Sequence, residues 1–163
     1  MPEIPITVFD CGVFLQGLMS KAGPATACIE LIEDNRIRLV MSEAILSEIK
    51  DVISRNDLKK LSPYLTDEKA EALIDLILEK AEFVEDVERR FTYSRDESDE
   101  PYLNLAIQTR AVFLVARDRD LLDLMTGSTA EAKEFRQRFR QLKIVDPVEF
   151  LQIIRKSDLS LDP

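Results

Sequence analysis

The sequence predicts a single α/β domain in which a parallel sheet is covered by helices on both faces. Three observations predict it. Short apolar, β-branched runs alternate with segments of helical spacing, which implies right-handed crossovers and a buried sheet. Two of those runs, 4–9 and 111–116, are each followed by an acid, Asp10 and Asp118. No internal repeat, low-complexity block or composition shift divides the 163 residues, a length that suits one domain.

The elements follow in order. Residues 5–9 read as a strand bounded by Pro5 and by Asp10-Cys11-Gly12. Residues 24–34 place Ala27, Cys28, Leu31 and Ile32 at helical spacing, with Pro24 suited to a first turn. Residues 37–41 are a second strand. Ser42 then caps a helix with an apolar face of Ile45, Ile49, Val52 and Ile53. Thr66 caps a longer helix carrying Ala70, Leu73, Ile74, Ile77 and Leu78 on one side. That stripe reads as core, and part of it would also serve a homodimer surface.

Residues 82–84 form a short strand, and 91–99 form a polar, acid-rich loop. Ser98 or Asp99 caps a helix containing Leu103, Ala106 and Ile107. Residues 112–115 are a strand, 121–125 start a helix, 130–142 form a basic helix, and 144–145 are a last short strand. Pro147 opens the final helix, with Phe150, Leu151 and Ile154 buried. The domain spans 1–156, and 157–163 is expected to fray.

Composition excludes several classes of function. The chain has no histidine, which removes the usual proton shuttle, the usual zinc ligand and the triads built on imidazole. Two cysteines, Cys11 and Cys28, are too few for a disulfide framework and read as reduced thiols of a cytoplasmic protein. No apolar run approaches the roughly 20 residues that span a bilayer, so no membrane partner is expected. The net charge of −9 weighs against nucleic acid, but it hides a local pattern. Lys133, Arg136, Arg138, Arg140 and Lys143 face the single acid Glu134, and Arg95, Arg117 and Arg119 flank acids. Arg117, Arg136 and Arg140 are the candidate contacts to nucleic-acid phosphates, with a solvated helix face or a surface for a protein partner an equal reading of the basic helix around Arg136 and Arg140.

Four acids stand out: Asp10, Glu48, Asp99 and Asp118, with Asp120 and Asp96 in support. Ligands of open parallel sheets bind beyond the carboxyl ends of strands, where the strand order reverses. Placing the first and fourth strands side by side would bring Asp10 and Asp118 together there. Two carboxylates about 4 Å apart repel by roughly 4 kcal/mol at an effective dielectric near 20. A group of them is therefore best explained by hard divalent cations, and oxygen-only ligands suit Mg2+ or Mn2+. Each acid alone has a plainer reading, as a helix cap or a solvated helix charge.

In sum the chain resembles the PIN-domain ribonucleases, in particular the bacterial branch of toxins from toxin–antitoxin pairs. The matching stretches are ValPheAspCysGlyValPheLeuGln at 8–16, SerGluAlaIleLeuSerGluIle at 42–49, ArgAspGluSerAspGluProTyrLeuAsnLeuAlaIle at 95–107 and PheLeuValAlaArgAspArgAspLeuLeu at 113–122, with IleValAspProValGluPheLeu at 144–151 closing the domain. The resemblance implies a three-layer α/β/α fold with strand order 3-2-1-4-5. It also implies a Mg2+- or Mn2+-dependent endoribonuclease, a small antitoxin partner and a homodimer. Asp10, Glu48, Asp99 and Asp118 match the catalytic positions, Asp10, Asp99, Asp118 and Asp120 would hold metal, and Asp96 would lie outside them.

Two departures support a second reading. Gly12 stands where many relatives have asparagine, and Ala116 where many have a hydroxyl residue, so a scaffold that binds RNA or protein without cutting is the alternative. A third reading, an aspartyl phosphate on Asp10, fits poorly. Gly12 is not the second acid one such fold wants, and 115–117 lacks the lysine another wants.

Overall fold

A computed structural model describes residues 3–159. Five parallel strands form one sheet in the order β3-β2-β1-β4-β5. They are β1 (Ile6–Phe9), β2 (Arg38–Met41), β3 (Glu82–Phe83), β4 (Phe113–Val115) and β5 (Lys143–Val145). Helices flank the sheet. The first crossover contains α1 (Cys11–Met19) and α2 (Pro24–Glu33), and the second contains α3 (Glu43–Ile53), α4 (Asn56–Leu61) and α5 (Asp67–Lys80). Beyond β3 come α6 (Glu100–Thr109), then α7 (Arg119–Thr126) and α8 (Ala130–Arg138), and finally α9 (Pro147–Leu159).

The strand centres are apolar on both faces because both faces are covered. Val8, Phe9, Leu39, Leu114 and Val115 are all buried. Phe9 meets Phe14 of α1 at 5.5 Å between ring centroids and Phe150 of α9 at 6.1 Å. A separate aromatic group joins Phe91 to Phe135 of α8 at 5.1 Å and Phe135 to Phe139 at 5.2 Å. The short outer strand β3 is tied to β2 by Arg38, whose guanidinium donates to Glu82 at 2.8 and 3.0 Å.

The sheet sets up the site through one pairing. β1 lies beside β4 with Phe9 opposite Val115, and the Asp10 N–H donates to the Val115 carbonyl at 3.0 Å. The order reverses between these two strands, so the residues after each of them meet in the crevice at the carboxyl edge.

Several elements differ from the sequence reading. α1 was not expected; its glycines, Gly12 and Gly17, and its nearly continuous apolar sequence hide the helical period. The basic helix stops at Arg138 rather than 142, because Phe139 leaves helical geometry at φ −124° and ψ 58° to turn into β5. Leu78, expected on the buried face of α5, is 54% exposed, while Leu73 and Ile77 carry the packing. α9 runs through Leu159, into the segment expected to fray, and 160–163 lie outside the described residues. Among the described residues no helix is long and apolar enough to cross a membrane.

Candidate metal centre

Each acid of the centre is placed by a local rule of chain geometry. Asp10 ends β1 and caps α1: one carboxylate oxygen accepts from Val13 N–H at 3.0 Å, and the other accepts from Arg117 N–H at 3.3 Å. Asp118 follows β4 and caps α7, accepting from Asp120 N–H at 2.8 Å. Asp96 caps a single 3-10 turn, Glu97–Asp99, accepting from Ser98 N–H at 3.0 Å. Asp99 occupies the N-terminal position of α6 yet makes no capping bond with its side chain. An acid at a helix start normally spends its oxygens on backbone N–H groups; Asp99 keeps its own free for the crevice.

The crevice gathers Asp96, Asp99, Asp118 and Asp120, with one carboxylate oxygen of each inside 4.8 Å of the others. Asp10 is not one of the four, but it stands beside them. It is 5% exposed, and the Asp118 charge acts on it. Glu48 is exposed on α3, is not among the four clustered acids, and its charge is felt by Cys11 and Tyr102. Thus the structure brings together Asp99 and Asp118 with both supporting candidates, Asp120 and Asp96, although Asp96 is expected to lie outside the metal ligands, and leaves Asp10 and Glu48 at the flank.

The electrostatics show strain in the cluster. Burial pushes the Asp10 carboxyl up from 3.8 to about 6, although donors at Val13, Arg117 and Asp118 pull the other way. Burial also raises Asp99 well above the carboxylate range, and the adjoining Asp118, together with Asp96 and Asp10, raises it further. Asp99 Oδ2 is buried with no hydrogen-bond partner, and an orphaned charged oxygen is expensive. Asp96 is different: hydrogen bonds from Ser98 hold its carboxyl below the ordinary value.

One internal cation meets the cluster. Arg95 Nε lies 2.5 Å from Asp120, and its terminal nitrogen lies 2.9 Å from Asp123. This offsets Asp120 and leaves Asp99 and Asp118 uncompensated. An all-oxygen donor set, an orphaned oxygen and two uncompensated carboxylates fit a hard divalent cation. Asp99 and Asp118 would supply its principal ligands, with Asp96 and Asp120 beside them.

The supports of this centre were not visible in the sequence. The Asn104 amide is buried and makes four bonds: its oxygen accepts from Arg90 and Phe91 N–H at 2.7 and 2.8 Å, and its nitrogen donates to the Phe91 and Glu100 carbonyls at 3.0 and 2.9 Å. Buried Glu100 accepts from Tyr93 N–H at 3.0 Å and pairs with Arg89 at 2.9 Å. Tyr93 donates its hydroxyl to the Asp120 carbonyl at 2.6 Å. Together they fasten the loop that carries Asp96 to the helix that carries Asp99. Only a polar residue inside the apolar face of α6, Asn104 beside Leu103 and Leu105, hinted at this.

The basic candidates divide. Arg117 donates to the Gln16 side chain at 2.8 Å. Arg136 donates to the Leu124 and Gly127 carbonyls at 2.7 and 2.9 Å, closing the turn between α7 and α8. Arg140 is exposed. At Gly12 an added Cβ would come within 3.3 Å of Asp10 Oδ1, so any side chain there abuts that carboxylate. Ala116 is fully buried. Burial lifts the Cys11 thiol to about 12, with Glu48 and Asp10 adding to the rise, so it is not a nucleophile at neutral pH.

A groove of about 700 Å³ opens nearby, between the start of α3, residues 83–89 and the start of α6. None of the four clustered aspartates lines it.

A family model described as PIN domain matches residues 7–120. An uncharacterized protein of Methanocaldococcus jannaschii is similar, at 27% identity over 157 residues, covering 96% of each chain. No solved structure matches the chain significantly.

Proposed function

The chain belongs to the PIN-domain family, whose members are generally nucleases and typically use divalent metals, and from that premise we propose that it is a metal-dependent endoribonuclease. The observation that carries this reading is the orphaned, buried oxygen of Asp99 beside Asp118 at the carboxyl edge of β1 and β4. Bound Mg2+ or Mn2+ would supply Lewis acidity toward a phosphodiester oxygen and activate water.

The chain's own residues do the rest. Asp99 and Asp118 would hold the cation and are placed by the backbone turns that open α6 and α7. Asp10, with both oxygens engaged by backbone N–H groups, fixes the junction of β1 and β4 and, at a pKa of about 6, can accept a proton near neutrality. Glu48 lies at the open side, where an exposed carboxylate can meet a second cation or the leaving group.

The partners proposed are single-stranded or structured RNA, a small antitoxin protein and a second copy of the chain, with exposed Leu78 on α5 a candidate for that dimer contact. The toxin role is proposed from the resemblance to the toxin branch, and the cytoplasmic address from the two free cysteines, Cys11 and Cys28. The alternative, a scaffold that binds without cutting, draws on Gly12 and Ala116: neither supplies a polar group beside Asp10 or Asp118.

Labelled RNA incubated with pure protein and Mn2+ tests the proposal, with Asp10→Asn and Asp118→Asn as controls. Cleavage by the wild type and its loss in both variants supports it. Binding without cleavage would favour the scaffold, and equal cleavage by all three proteins would trace the activity to a contaminant.

A further inference from the structure

At the opposite edge of the sheet a pocket of about 350 Å³ lies between the end of α6 and the turn from α8 into β5. Arg110, Arg138 and Arg140 all line it. In a chain of net charge −9 this is a local reversal of sign. Arg138 is anchored there: it donates to the Arg90 carbonyl at 3.1 Å, pairs with Glu134 at 3.5 Å and lies 4.9 Å over the Phe139 ring. The guanidinium groups of Arg110 and Arg140 make no hydrogen bond or ion pair among the described residues.

Two plainer accounts of these arginines fall short. The carboxyl ends of α6 and α8 both reach the pocket, and each helix end carries about half a negative charge. Together with Glu134 that offsets about two of the three positive charges and leaves a surplus. The second account is convenience of the chain, and Arg110 argues against it. Its backbone is left-handed, φ 55° and ψ 42°, at the end of α6. A side chain there costs about 1 kcal/mol, and glycine would cost nothing. The position keeps an arginine despite that cost.

Three of the arginines nearer the aspartates are already engaged, while Arg119, exposed between Asp118 and Asp120, makes no side-chain bond among the described residues. Arg95 is held by Asp120 and Asp123, Arg117 by Gln16, and Arg136 by two carbonyls. A strand held only at the acidic crevice would meet net negative charge. Planar guanidiniums carried by residues that line one cavity suit the oxygens of a phosphate. α6 joins the two places directly: it has 10 residues and so runs about 15 Å from Asp99 to the pocket, a gap that a few nucleotides cross.

We propose that the Arg110–Arg138–Arg140 pocket binds a backbone phosphate of the RNA strand at a distance from the bond presented to the aspartates. The assignment rests on the nuclease reading for its ligand, but not for its test. The pocket lengthens the footprint on RNA and compensates for the repulsion at the crevice.

Fluorescence polarisation in EDTA, where no cutting occurs, measures binding of a labelled trinucleotide and of a strand several times longer. The variants are Arg140→Gln, Arg110→Gln/Arg140→Gln and Asp118→Asn. Arg140 is exposed and makes no side-chain bond, so its variant folds irrespective of the proposal. The expected result is a roughly fivefold or greater loss for the long strand in the double variant, a smaller loss in Arg140→Gln, and for the trinucleotide, which the metal-free crevice repels, binding at least about tenfold weaker than that of the long strand in every protein. The salt dependence flattens by about 0.7 in the log–log slope for each phosphate released.

Equal binding of the long strand by wild type and double variant overturns the proposal, as does no binding by the wild type. An equal loss for trinucleotide and long strand overturns the backbone assignment too, because it describes a pocket for free nucleotide; inorganic phosphate competing as strongly as the long strand does the same. Asp118→Asn separates the two readings. If it binds as the wild type does, and the wild type with Mn2+ leaves RNA intact, the nuclease reading fails while arginine-dependent binding stands.

Discussion

Asp99 Oδ2 is buried without a donor while the Asp118 carboxylate stands against it. Among the described residues no cation pairs with either carboxylate: Arg95, which reaches the cluster, is turned to Asp120 and Asp123. Like charges inside 4.8 Å cost roughly 3 kcal/mol at an effective dielectric near 20, so the arrangement is stable with a proton or a cation between the two.

Removing one charge should therefore stabilise the metal-free protein. Asp99→Asn in EDTA is expected to raise the melting temperature by several degrees, corresponding to about 1–3 kcal/mol, and to abolish Mn2+ binding in calorimetry. A lower melting temperature in EDTA would show that the pair is not under strain.

The pH dependence follows with a definite sign. Asp10 is raised from 3.8 to about 6 and Asp99 is raised as well, both first by burial. A raised carboxyl contributes its stability fully below the unfolded value and loses it as pH climbs through the folded one. In EDTA the melting temperature should thus fall as pH rises through about 6 and beyond, and Asp10→Asn should flatten the lower part of that fall. Saturating Mn2+ should reverse the trend, because cation and proton compete for the same oxygens. Melting curves over this range, with and without Mn2+, check both halves.

Much of this was legible in the sequence, and the reasons differ by element. β1 and β4 announce themselves because they are short, apolar and followed by an acid, Asp10 directly after β1 and Asp118 three residues past the end of β4. The caps at Ser42 and Thr66 are legible because a hydroxyl precedes a clear apolar stripe; both accept the expected N–H, from Ile45 and Lys69. α1 was not legible, since a helix apolar around most of its surface has no period to read. The place of Asp96 was not legible either. It depends on a 3-10 turn of three residues, too short for any pattern, which swings its carboxylate toward Asp99. Arg136 looked like a phosphate contact because charge is visible in sequence, whereas the two carbonyls that bind it are not.

The Asn104 anchor should be stringent. Asn104→Ala removes four hydrogen bonds and strands the buried backbone groups of Phe91, which is expected to cost about 2–4 kcal/mol and to lower Mn2+ affinity by loosening the loop of Asp96. Urea unfolding measures the first effect and calorimetry the second. A loss under about 0.5 kcal/mol would contradict this role.

Arg136 should behave as a strut. Arg136→Ala is expected to cost about 1–2 kcal/mol through the Leu124 and Gly127 carbonyls and to leave RNA affinity unchanged in polarisation titrations, in contrast to Arg140→Gln. A selective loss of RNA binding at full stability would return Arg136 to the RNA surface.

The most direct measurement is an anomalous difference map from crystals of the full chain grown in saturating Mn2+. The account predicts a peak ligated by the carboxylates of Asp99 and Asp118, with Asp99 Oδ2 among its ligands. A map with no peak in that crevice, or with Mn2+ bound only elsewhere, would contradict it.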